Sequence, residues 1–83
     1  MTLSLKVARL VAKEYYTTKN VKFGILVTML TSPNPVTVRF LNRKFNITSA
    51  AARIAEIKNE TGMTFDKISF QDGSKGVSVA YAV

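Results

Sequence analysis

Between Thr37 and Ile54 the chain reads TVRFLNRKFNITSAAARI, which leaves room for two short helices and almost no linker between them. Thr37 stands at the N-cap of the first, where a hydroxyl accepts a hydrogen bond from an orphaned first-turn amide. Val36 and Leu41 have the N′ and N4 spacing of a hydrophobic staple. Phe40, Leu41 and Phe45 form the face to bury, while Arg39, Asn42, Arg43 and Lys44 face outward. Asn46 follows at C′, a position that favours the left-handed conformation and where asparagine ranks second to glycine. The next helix takes Thr48 or Ser49 as its cap, runs to Glu60 and ends near Gly62. Its Ala50, Ile54 and Ile57 recur at i, i+4 and i+7 and predict a buried stripe. Ser49, Ala52, Glu56 and Asn59 fall on the opposite side, with Arg53 on the flank. Small residues therefore open the exposed face, and a base sits beside them.

Turn-forming residues divide the rest of the chain into short elements. Leu3, Val7, Leu10 and Val11 follow helical spacing, with Tyr15 extending the stripe. Leu3, Leu5 and Val7 alone also fit a strand, but Ala8, Ala12, Lys13 and Glu14 favour helix over residues 3–16. A second helix is expected from Val21 to Thr31, capped by Asn20, with Phe23, Leu26, Met29 and Leu30 on its apolar face. Pro33 and Pro35 end it, because each disfavours helix in the residue before it. After Gly62, Ile68 and Phe70 alternate with Lys67 and Ser69. Val77, Val79, Tyr81 and Val83 alternate with Ser78, Ala80 and Ala82, and a turn-rich stretch joins the two runs. This is the pattern of a β-hairpin, one face of which must pack on the helices.

Charge narrows the function. The net charge is +7, and it is one-sided. Residues 1–55 carry nine bases (Lys6, Arg9, Lys13, Lys19, Lys22, Arg39, Arg43, Lys44 and Arg53) against Glu14 alone, a net +8. The remainder is close to neutral at −1. Such a field favours polyanions, nucleic acid above all. With no cysteine there is no disulfide framework or thiolate metal site, and the location expected is cytoplasmic. No apolar run is long enough for a transmembrane helix, so no membrane partner is expected. Histidine is absent too, acids are sparse, and Ser32, Ser49 and Ser69 have no evident general base. An enzyme is not expected, nor is a cofactor or metal.

From about Lys22 to Val83, three-quarters of the chain, the sequence resembles the small winged helix-turn-helix proteins of bacteriophage genomes and related mobile elements. The resemblance rests on Ile25-Leu26 and Met29-Leu30, on Val36-Thr37 and Phe40-Leu41, and on Phe45-Asn46-Ile47 at the turn. It continues through Ala51-Ala52-Arg53-Ile54, Ile57, Gly62 and Gly76-Val77-Ser78-Val79-Ala80-Tyr81. It departs at Asn46, where the family usually has glycine, and at Glu56 and Glu60, where the family's helix is often more basic. Residues 1–20 have no clear counterpart and are read as an extension serving oligomerisation or a partner; residues 21–83 form the domain.

The resemblance implies an α+β fold with a three-helix core and a C-terminal hairpin wing. It implies sequence-preferring binding of double-stranded DNA by a small regulator, a repressor or an accessory factor by its size. The helix over 49–60 would lie in the major groove. Thr48 and Ser49 would meet phosphate or base, the Ala52 methyl a thymine methyl, and Arg53 a guanine. Arg39, Arg43 and Lys44 would meet phosphates, and Lys75 at the wing tip the backbone or a minor groove. Each base has a plainer reading as a solvated charge, and Arg53 can instead pair with Glu56. The N-terminal stripe carries more apolar surface than so small a domain needs to cover, which points to a homodimer through that segment. The alternative to DNA binding is a protein-interaction module whose recognition face takes a host protein.

Overall fold

The computed structural model describes residues 2–71 and 77–83. Within them the chain forms α1 (Leu5–Lys13), α2 (Val21–Thr31), β1 (Val36–Thr37), α3 (Val38–Phe45), α4 (Ala50–Thr61), β2 (Asp66–Gln71) and β3 (Val77–Ala82). This is a small α+β domain: four helices and a three-stranded antiparallel sheet in the order β1-β3-β2.

α2 is the centre of the core. The expected face of Phe23, Leu26, Met29 and Leu30 is buried, and so are Ile25 and Val27. An apolar surface nearly all round a helix requires neighbours on several sides, and α1, α3 and α4 supply them. Asn20 caps its start by accepting from the Lys22 amide at 2.9 Å. The Thr28 and Thr31 hydroxyls donate back to Gly24 O and Val27 O, each at 2.8 Å, which satisfies them in half-buried positions. A Cβ on Gly24 would lie 2.5 Å from the Phe45 ring, so the missing side chain is what lets the end of α3 seat against α2.

The two-helix unit forms as its caps predict. The Thr37 hydroxyl accepts from the Phe40 amide at 3.0 Å, and Asn46 takes the left-handed conformation at φ 53°, ψ 50°. The staple residues Val36 and Leu41 are both buried. α4 buries Ala50, Ile54 and Ile57, and Gly62 ends it at φ 75°. One cap differs from expectation. Neither Thr48 nor Ser49 caps α4; Asn42 reaches across the turn, and its Oδ1 accepts from the Ala50 amide at 2.8 Å. The αL turn brings the end of α3 beside the start of α4, and Asn42 is already there. Asn42→Ala is therefore expected to lower unfolding free energy by about 1–2 kcal/mol, whereas Ser49→Ala changes it by less than about 0.5 kcal/mol. Urea denaturation of both variants checks this.

Three other expectations are corrected. Phe40 is not buried but 51% exposed, because α3 turns only Leu41 fully inward. Val36–Thr37 is not just a cap signal; it is a strand, pairing Val36 with Tyr81 and Thr37 with Ala80. Ile68 and Phe70 do not join the core. Register sets Ile68 opposite Ala80 and Phe70 opposite Ser78, while Lys67 and Ser69 share their face with Tyr81 and Val79. Tyr81 packs on the core, so the two apolar residues of β2 fall on the outer face, each 40% exposed.

Candidate nucleic-acid interface

α4 has three kinds of exposed surface. At its start, Thr48 and Ser49 are exposed, and because Asn42 does the capping, the Ser49 hydroxyl is not spent on it. Ala51, Ala52 and Ala55 are exposed along the helix, so a second surface can approach its backbone closely. The two flanks are charged in different ways.

The flank toward α2 and the segment preceding it holds both acids. Lys22 Nζ lies 3.0 Å from Glu56 Oε1 and 3.0 Å from Glu60 Oε1. The Tyr16 hydroxyl donates to Glu60 Oε1 at 2.7 Å. Arg53 Nη2 sits 3.1 Å from Glu56 Oε2, while its buried Nε has no hydrogen-bond partner. Hydrogen bonds from Tyr16 and then Lys22 hold the Glu60 carboxyl below its usual range. Hydrogen bonds to Glu56 and then Glu60 raise the Lys22 ammonium. Burial, followed by the bond to Glu60, pushes the Tyr16 phenol up. The two acids that set α4 apart from a basic recognition helix are thus engaged within the fold, tying α4 to α2 and to the segment that joins α1 to α2.

These shifts have a consequence in acid. A carboxyl with a lowered folded-state pKa stabilises the fold above its unfolded value, and that contribution is lost as pH falls through the folded value. Glu60→Gln is therefore expected to lower the thermal midpoint at pH 6, with the gap to the wild type closing below about pH 4. Melting curves across this range check it.

The opposite flank of α4 faces the sheet and is basic. An open groove of about 440 Å³ runs between α3, the start of α4 and the hairpin, lined among others by Arg39, Asn42, Ala51, Lys67 and Tyr81. A second depression of about 200 Å³ shares Lys67 and Tyr81 with it and adds Ala55, Lys58 and Phe65. Ala51, Ala55 and Lys58 follow i, i+4, i+7, so this stripe was readable, although nothing in the sequence placed Lys67 beside it. On α3, Arg39 and Arg43 are exposed at i and i+4, on the side away from buried Leu41. Lys44 instead lies over Phe40 and Phe45, its Nζ 6.0 and 5.9 Å from the ring centroids.

The structure therefore gathers Arg39, Arg43, Thr48, Ser49 and Ala52 around one helix pair, and gives Arg53 a carboxylate partner on the flank. Lys75 lies outside the described residues. Among the described residues no cluster of His, Cys, Asp or Glu is placed to hold a metal, and no helix is long and apolar enough to cross a membrane. No protein-family model matches the chain, and no match is found among curated proteins or solved structures.

Proposed function

We propose that the chain is a winged helix-turn-helix protein that binds double-stranded DNA with sequence preference, as a small transcriptional regulator. The observation that carries this reading is the surface of the α3–turn–α4 unit. Its acids, though still partly exposed, are paired with Lys22, Tyr16 and Arg53, while small residues, unspent hydroxyls and Arg39, Arg43, Lys58 and Lys67 face out. The element order supports it: α2, α3 and α4 serve as the three-helix core, and β2–β3 as the wing. α4 enters the major groove with Thr48, Ser49 and Ala52 at its leading end, and Arg39 and Arg43 clamp the flanking phosphates. Arg53 reads a guanine with Glu56 holding its rotamer, a division of labour that suits a planar guanidinium.

Selection from a random pool of duplex DNA tests the reading, and a defined enriched motif is the expected result. No binding even at low salt would end it. Arg53→Ala is then expected to cost about 1–3 kcal/mol at one base position, and Lys44→Ala to weaken all duplexes alike and reduce the salt slope by about one. Equal losses across sequences from both variants would remove the base-reading role of Arg53. A second reading, a protein-interaction module on the same scaffold, is favoured by the exposure of Phe40, Ile68 and Phe70. It predicts binding that survives Arg53→Ala and fails on Phe70→Ser.

A further inference from the structure

α1 is packed with its small residues inward. Ala8 and Ala12 are its only buried side chains, and they let it lie close on α2. Its large apolar residues point away: Leu5 is 60% exposed, Val7 44%, Leu10 57%, and Tyr15 just beyond the helix 46%. The stripe that carries more apolar surface than the domain needs to cover is in large part its outer surface. Apolar surface gathered in this way marks an interaction site. A shallow depression of about 250 Å³ runs along it, between Val7, Leu10, Val11, Glu14 and Tyr15.

The charge order on this surface identifies its occupant. Lys6, Leu10 and Glu14 lie at i, i+4 and i+8, along one ridge of the helix. Glu14 keeps helical backbone at φ −65°, ψ −23°, so the ridge runs on to it. Val7, Val11 and Tyr15 form the neighbouring row with the same spacing. A two-fold axis through Leu10 lays the ridge antiparallel on its own copy. Leu10 then meets Leu10, and Lys6 of each protomer meets Glu14 of the other. The charged ends are about 12 Å apart in both copies, so both ion pairs close together. A cation–apolar–anion ridge is self-complementary under this symmetry, as an isologous interface must be.

Glu14 also argues against other occupants. It is the one acid of residues 1–55. Lys6, Arg9 and Lys13 leave the helix net positive, but the Glu14 carboxylate borders the apolar depression itself, where it repels lipid or nucleic-acid phosphate and suits a protein cation. We infer that α1 is a homodimer interface, in which two copies pair antiparallel through Val7, Leu10 and Val11 with reciprocal Lys6–Glu14 ion pairs.

Sedimentation equilibrium of the full chain without DNA tests this separately from the proposed function. At about 50 µM the wild type is expected at twice the chain mass, and Leu10→Asp at the single mass with an unchanged circular dichroism spectrum. Lys6→Glu and Glu14→Lys, each alone, raise the dissociation constant about tenfold, and the two together restore it to within about threefold. Leu10 and both charged residues lie on the exposed side of α1, so these variants leave the core intact. A wild type that stays monomeric to about 200 µM overturns the inference. So does a Leu10→Asp variant that still dimerises, or a charge swap no tighter than its single variants. A monomer that co-sediments with phosphatidylglycerol vesicles assigns the surface to lipid instead, and also overturns it.

Discussion

Raising the salt from about 50 to 200 mM is expected to weaken binding to the selected duplex by about 500-fold, from a log–log slope near −4.5. The magnitude follows from counting the bases the structure presents. Arg39, Arg43, Lys44, Lys58 and Lys67 are all exposed on α3, α4 and β2, one phosphate each. Every phosphate neutralised releases condensed counterions and adds about −0.9 to the slope. Lys22 is left out of the count, because its ammonium is shared by Glu56 and Glu60 and its side chain is only 16% exposed. Fluorescence anisotropy across the salt series gives the slope directly. A slope shallower than about −2 would mean that fewer than three of these bases touch DNA, and the docking of α3 and α4 described above would fail. The slope also distinguishes Lys22 from the others: Lys22→Ala should destabilise the fold, by loosening α2 from α4, and leave the slope unchanged.

The largest expected loss of stability comes from Leu41→Ala, about 2.5–5 kcal/mol. Leu41 is fully buried and is the one wholly inward side chain of α3. Truncation removes its transfer free energy and leaves a cavity in a core where Ile25, Leu26 and Ile57, themselves fully buried, cannot collapse inward without moving α2 and α4. A domain of this length has a total stability of about 4–12 kcal/mol, so the variant keeps little or none of it. Adjacent Phe40, half exposed, provides the control: Phe40→Ala should cost less than about 1.5 kcal/mol. Urea titration of both should show shifted midpoints with unchanged slopes, as expected when stability alone changes. Comparable losses at the two positions would contradict the packing of α3.

Local chemistry in the sequence accounts for much of this fold. The Thr37 and Asn20 caps, the left-handed Asn46, the stop at Gly62 and the buried Ala50, Ile54 and Ile57 each depend on residues within a turn or two. The concentration of positive charge in the first 55 residues is equally a property of the sequence, as is the apolar stripe of the first helix. Spacing alone could not say whether that stripe faced in or out. Ala8 and Ala12 fit a close approach to α2, and only the presence of α2 makes small residues the better inward face.

Tertiary structure decided the rest, in each case because the partner is remote in the chain. Val36 and Thr37 form a strand only because Tyr81 and Ala80 return beside them. The outward placement of Ile68 and Phe70 depends on hairpin register, where a slip of one residue would exchange the two faces. Tyr16 and Glu60 are 44 residues apart, and Lys22 and Glu60 are 38. In the sequence, Glu56 and Glu60 were acids on a helix expected to lie in the major groove of DNA. In the fold they are the counter-charges of Lys22 and Arg53, because α2 packs along that flank. The sequence determined which segments became helices and where they ended, since caps and turns act over a few bonds. Which faces those helices hid, and which charges they left outside, depended on contacts that exist only once the chain has closed on itself.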